Sequence, residues 1–328
     1  MRDGVAPRLS PQTKLRILSD GRVGHEAQTL GIAEALGLTP DICRIAARPL
    51  YAALAPFAPP DPRDALAYAP PYPDIAIAAG RWTIPALQRL KHNSSGRTFT
   101  VYVNRPANGP GAADLIIAPR HDGISGENVL SPLTPANRIT PERLAQAREA
   151  PDPRIAALPC PRVALLVGGD SRHGAYGAAQ IAELEHIAAS LAASGRGVMA
   201  TASRRTPAAL REALRRVLIP PNGFLWDGEG ENPYRSMLAN ADSIVVTGDS
   251  VNMVGEAVAT RAPVHVVAPP RGARRIDAFL AALTDAGAIR LWRGALEDWA
   301  RAPFNATPDI ACAIARAYLA FTAARLNS

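Results

Sequence analysis

Short apolar runs alternate with amphipathic stretches along almost the whole chain. Residues 14–19, 41–46, 74–79, 98–103 and 115–118 are short, apolar and bounded by Gly, Pro, Asp or Asn. That is the pattern of buried parallel strands. Between them the apolar period lengthens to that of helices, expected over 26–36, which Gly37 ends, and over 83–91. Residues 56–73 are Pro-rich and read as irregular chain. A Pro-punctuated linker spans 140–161 and encloses a short helix at 142–150. The alternation then restarts, with strands expected at 163–167, 198–202, 223–226, 244–246 and 263–267. Helices are expected over 178–193, from Thr206-Pro207 onward, over 233–239, after Ser250, over 275–286 and over 307–325. The expected class is α/β, with two doubly wound, Rossmann-like halves, 1–150 and 151–306.

The unit at 242–268, DSIVVTGDSVNMVGEAVATRAPVHVVA, organises the second half as strand, turn, helix and strand. Asp249 or Ser250 can cap the helix, and Thr247 and Gly248 complete the turn. Free amide donors and the positive helix end would suit a phosphate. Asn252 and Glu256 lie four apart on one helix face beside Met253, and a carboxylate there could accept from both hydroxyls of a ribose. Any capped β-turn-α unit offers the same backbone, and Glu256 could equally be a solvated helix residue.

The 328 residues allow two domains, and 48% hydrophobic content with 5% aromatic residues implies a core packed from small aliphatic side chains. A net charge of +7 favours anionic partners, but Lys and Arg are scattered, with no run of the kind that binds nucleic acid. Cys43, Cys160 and Cys312 lack metal-ligand spacing and read as ordinary buried thiols of a reducing compartment. The N-terminal stretch has no apolar core like that of a signal peptide, and no segment is long and apolar enough to span a bilayer, so a cytoplasmic protein is expected.

Chemistry concentrates where strands end. Asp20, Gly21, Arg22, Val23, Gly24 and His25 form a loop after the first strand, pairing tight turns with a cation and an imidazole. Arg81, Arg105 and Arg120 follow three later strands, so four arginines rim one sheet edge. Singly, each is an ordinary solvated residue. In the second half, Gly168, Gly169, Asp170 and Ser171 follow one strand, and Ser203, Arg204 and Arg205 follow the next. Neither glycine loop has G-x-G-x-x-G spacing, and P-loop, H-E-x-x-H and G-x-S-x-G motifs are absent. A dehydrogenase, a P-loop protein and a sugar-nucleotide epimerase are therefore disfavoured, and no metal site is expected. Two glycine-looped halves point to a ligand held in a cleft between them.

The stretches SDGRVGHEAQTLGIAEAL, SRRTP and TGDSVNMVGEA resemble the bacterial branch of the Elm-type mitochondrial fission family, whose plant namesake recruits a dynamin-related protein to mitochondria. That family is similar to GT-B glycosyltransferases. The resemblance implies an N-terminal acceptor half, a C-terminal nucleotide-sugar half, and a final helix (307–328) crossing back to the first. It places Gly24 and His25 on the acceptor side, Gly168–Ser171 in the first donor loop, and Ser250 to Asn252 beside the diphosphate. Glu256 falls on the ribose, and Arg204 or Arg205 on the leaving group. Asp249 departs from the small or neutral residue of many relatives. The implied donor is a nucleoside-diphosphate sugar, UDP-linked by analogy, with no further cofactor or metal. Arg205 with the Ser250 helix terminus would stabilise the leaving group, and His25 is the candidate base. A lipid-linked or envelope acceptor and peripheral contact with the inner membrane are left open. The alternative is a scaffold that kept the fold and lost the chemistry.

Overall fold

The computed structural model describes residues 7, 9–170, 174–203, 205–269 and 273–326. The chain divides into two compact units, one of Met1–Arg138 with Ala306–Ser328, the other of Ile139–Asn305. In the first unit the strands are β1 (Leu15–Ser19), β2 (Pro40–Arg44), β3 (Ile75–Ala79), β4 (Phe99–Val103), β5 (Leu115–Ile117) and β6 (Val129–Leu130). They pair in parallel in the order β2-β1-β3-β4-β5-β6. The helices here are α1 (Val23–Ala35), α2 (Pro49–Leu54), α3 (Ile84–Asn93) and the last helix, α11 (Thr307–Leu326).

Strand pleating explains why both faces of this sheet are apolar. Ile17, Ile77 and Val101 point to one face and pack with Ile32 of α1 and Ile310 and Ile314 of α11. Leu18, Ala76, Ala78 and Ile116 point to the other, against Ile84, Leu87 and Leu90 of α3. The final helix thus completes the first unit's core, with Phe321 against Phe99 at 5.3 Å between ring centroids. Its start is fixed by Thr307, whose hydroxyl accepts from the Asn137 amide (2.9 Å).

The second unit contains α4 (Pro141–Glu149), α5 (Pro153–Ala156), β7 (Arg162–Val167), α6 (Ala178–Ala193), β8 (Gly197–Ala202), α7 (Ala208–Val217) and β9 (Gly223–Trp226). It continues through α8 (Tyr234–Asn240), β10 (Ser243–Thr247), α9 (Val251–Val258), β11 (Val264–Val267), α10 (Arg274–Asp285) and β12 (Arg290–Leu291). All its strands are parallel, in the order β12-β11-β10-β7-β8-β9. Val163, Leu165 and Val167 pack under α6 and α7 through Leu184, Ile187, Leu210 and Leu214.

Several local readings change. The division falls at 138/139, ahead of the expected boundary at 150/151. The helix within the Pro-rich linker is the reason: Arg148 Nε donates to the Ala239 carbonyl (2.8 Å), and the Asp152 amide to Ser236 Oγ (3.0 Å), fastening α4 and α5 to α8. Helix α1 begins at Val23 rather than Glu26, because the Arg22 carbonyl already accepts from the His25 and Glu26 amides (2.9 Å each). Gly24 and His25 therefore sit in its first turn, outside the preceding loop. The stretch expected to be irregular carries a 3-10 turn, Pro62–Tyr68, capped by Asp61. Strands β6 and β12 are two residues each and have no sequence period to betray them. Cys160 is exposed and Cys43 and Cys312 are half-buried, so the expected burial of these thiols does not hold.

Candidate functional site

Open parallel sheets place ligands at the carboxyl ends of strands, where the strand order reverses. In the second unit that reversal lies between β7 and β10, and in the first between β1 and β3. Asp20, Arg22 and Arg81 follow β1 and β3, and Gly168, Gly169, Thr247 and Asp249 follow β7 and β10, whereas Arg105 follows β4 and Ser203 and Arg205 follow β8; each cluster is built within its own unit.

In the second unit, Gly168 and Gly169 leave β7 while Thr247, Gly248 and Asp249 leave β10. The Gly168 amide donates to Thr247 Oγ1 (2.8 Å) and the Gly169 amide to Asp249 Oδ2 (3.0 Å). A Cβ on Gly168 would overlap the Asp249 carboxylate, and one on Gly169 would overlap the Arg205 backbone. Only glycines let the three strand ends close this tightly. From β8, Ser203 Oγ donates to the Gly168 carbonyl (3.0 Å), Thr206 Oγ1 donates to the same carbonyl, and the Asp170 amide donates to the Arg205 carbonyl (3.0 Å).

Asp249 is 6% exposed at its side chain and faces inward. It accepts from the Tyr176 hydroxyl (2.7 Å) as well as from Gly169, and Arg205 Nη2 stands 3.8 Å from it. Burial and the nearby Asp249 charge push the Tyr176 phenol well above its usual range. Asp249 therefore braces the loops and does not cap the helix; Ser250 does, its Oγ accepting from the Met253 amide (3.4 Å). Thr247 is likewise spent on Gly168. Arg205 also donates to the Asp170 carbonyl (2.9 Å), so its guanidinium is drawn to the loop it follows. Ser171 and Arg204 lie outside the described residues.

Helix α9 starts at this reversal and carries Asn252 and Glu256 on its flank. Glu256 Oε2 accepts from the hydroxyl of Tyr234 on α8 (2.8 Å). Burial pushes the Glu256 carboxyl up to about 7, against the lowering effect of that bond. Near neutrality this group is thus a mixture of acid and carboxylate rather than the free carboxylate the sequence implies. Tyr234 was not legible as a site residue: it is 22 positions from its partner, and no local pattern joins them.

In the first unit Asp20 leaves β1 with its side chain only 2% exposed. His25 Nδ1 donates to it, 3.0 Å from both oxygens, which leaves Nε2 as the ring's other nitrogen. Burial opposes the charge on Asp20, but the His25 bond and charge, the Arg22 amide (3.2 Å) and the Arg22 guanidinium outweigh it and hold the carboxyl below its usual range. Gly80, at the end of β3, has φ +97°, and a Cβ there would overlap Asp20 Oδ2. That glycine is what lets the carboxylate reach across the reversal. Arg22 stacks 5.6 Å from the Trp82 ring centroid, a partner the sequence reading missed.

The four-arginine rim is real as a row, because β1, β3, β4 and β5 are neighbours. Three of its members are engaged locally, however. Arg22 is on Trp82 and Asp20, Arg81 donates to the Ala52 carbonyl (2.8 Å), and Arg105 donates to the Asp122 carbonyl (2.9 Å). Among the described residues no group of three or more His, Cys, Asp or Glu could hold a metal ion. No described helix is long and apolar enough to cross a membrane.

Residues 23–318 match the protein family described as Mitochondrial fission ELM1. The chain is 30% identical over 271 residues to mitochondrial fission protein ELM1 of Arabidopsis thaliana, covering 74% of this chain and 64% of that one. It therefore spans less than two thirds of that relative's length. Among solved structures, spinosyn forosaminyltransferase SpnP aligns with a TM-score of 0.52 at 12% identity, over 94% of this chain and 95% of its own. The UDP-GlcNAc 2-epimerase of Methanocaldococcus jannaschii, solved with UDP-GlcNAc and UDP, aligns with a TM-score of 0.51 at 13% identity, over 92% and 98%. These likenesses establish the GT-B-like fold.

Proposed function

The chain belongs to the mitochondrial fission ELM1 family, and we propose that it binds a nucleoside-diphosphate sugar at the strand reversal of its second unit and transfers the sugar to an acceptor hydroxyl. One observation carries this reading. Three neighbouring strand ends, after β7, β8 and β10, are tied together by glycine and hydroxyl contacts around the capped start of α9. The amides of that helix start suit a diphosphate, and Glu256 on the same helix suits the ribose.

In the transfer, the acceptor oxygen bonds to the anomeric carbon as the bond from that carbon to the diphosphate oxygen breaks, leaving its electron pair on the diphosphate. Arg205 and the α9 amides would stabilise that charge, which requires Arg205 to exchange part of its hold on Asp249 and Asp170 for phosphate. The acceptor's proton passes to a general base. No metal or further cofactor enters this scheme.

The engagement of Arg205 with Asp249 favours a second reading, in which the loops brace themselves and the chain serves as a scaffold. An epimerase also fits the fold, so the absence of a dinucleotide fingerprint does not separate the chain from that class. Incubation with UDP-sugars followed by assay of free UDP and of sugar isomers tests all three. Transfer is expected to release UDP only with an acceptor or, slowly, to water. Isomerisation without UDP release would favour the epimerase, and neither turnover nor UDP binding would favour the scaffold.

A further inference from the structure

Ten large apolar side chains are exposed among the described residues, and four of them fall between positions 50 and 66: Leu50 (68%), Leu54 (53%), Phe57 (80%) and Leu66 (83%). Single exposed leucines need no explanation, but a cluster on a short segment does. Leu50 and Leu54 lie four apart on α2 and share a face, and Phe57 follows in the turn after the helix, its amide donating to the Leu54 carbonyl (3.0 Å).

The backbone presenting them is held in place. Arg81 anchors α2 through the Ala52 carbonyl (2.8 Å). Arg48 forks onto Asp61 (2.8 and 2.9 Å), and Arg16 donates to the carbonyls of Ala67, Ala69 and Pro71 (3.1–3.3 Å). The exposure is thus a property of the fold.

Charge separates the occupants. Between positions 46 and 73 the only acids are Asp61 and Asp64, and both are buried. Arg63 and Arg81 are exposed, and Phe57 shares a groove with Arg89 and His92. Residues 81–92 contain no acid at all. A two-fold contact with a second copy would set these cations against themselves. The stretch is rich in Pro and Ala and offers few side-chain donors or acceptors for a protein partner. An exposed apolar segment with exposed arginines in and near it and no exposed acid suits a fluid, anionic surface.

We propose that this face of the first unit docks on an anionic lipid bilayer. Leu50, Leu54 and Phe57 enter the boundary between headgroups and acyl chains, and Arg63 and Arg89 meet lipid phosphates. The proposal is independent of the nucleotide reading, since it uses none of the second unit.

Sedimentation of the full chain with sucrose-loaded vesicles tests it. Phosphatidylcholine vesicles and vesicles with about 30% phosphatidylglycerol, an anionic surface, would be compared at low and high salt. The wild type is expected to pellet with the anionic vesicles and to be released by salt. Leu54→Glu/Phe57→Glu and Arg63→Ala/Arg89→Ala should each cut the bound fraction about tenfold or more with an unchanged melting temperature, since the side chains are exposed. Equal binding by wild type and both variants would overturn the proposal. So would no binding to anionic vesicles, or a wild-type dimer that the glutamate variant dissociates in light scattering.

Discussion

Glu256 is the residue whose ionisation bears most directly on the proposed ribose contact. The fold favours its protonated form, with the carboxyl pushed up to about 7 from an ordinary 4.5. A carboxyl raised in this way costs folding free energy as pH rises from the unfolded value to the folded one, and the cost then stays constant. The window is therefore about 4.5 to 7, and the full cost is on the order of 3 kcal/mol. Glu256→Gln, neutral throughout, is expected to match wild type in urea unfolding near the lower limit and to exceed it by up to about 3 kcal/mol near pH 8. A difference that does not change with pH would mean that this carboxyl titrates normally. A ribose diol donating to the ionised form should also make wild-type nucleotide affinity rise through the same window, with no such rise in the Gln variant.

Among the elements, the β7 and β10 ends stand or fall together. Gly168→Ala drives a Cβ into the Asp249 carboxylate and is expected to cost about 1–3 kcal/mol. Combined with Asp249→Ala it should cost less than the sum of the two single changes, because the obstruction is gone. Strict additivity in denaturant unfolding would show that the two residues do not meet. Most strands and the long helices are legible in the sequence, because apolar period is a local signal, whereas the boundary at 138/139 is not, because the Pro-rich stretch that suggests 150/151 packs α4 and α5 on α8. The SRRTP and TGDSV turns are legible as local signals too. The bracing role of Asp249, the Tyr234 hydroxyl on Glu256 and the reach of Asp20 across Gly80 are not. Each depends on which strands or helices become neighbours, as β1 and β3 do across more than fifty residues, and neither spacing nor composition encodes that pairing.

For the whole molecule, two parallel six-stranded sheets each reverse their strand order once, and the Asp20–His25 pair and the Gly168–Asp249 contacts lie at those reversals. The net charge of +7 favours anionic ligands in general, and on the proposed function the loops of the second unit would hold a diphosphate in particular. Binding there should stiffen the loops after three strands at once, because they already share hydrogen bonds through Gly168 and Asp249. The direct measurement is amide hydrogen exchange of the full chain with and without saturating UDP. Slower exchange is expected together at 168–170, 203–206 and 249–253, with little change in the groove lined by Arg143, Asp152 and Arg235. Unchanged exchange at all three loops, or protection confined to that groove, would contradict a nucleotide site at the strand reversal.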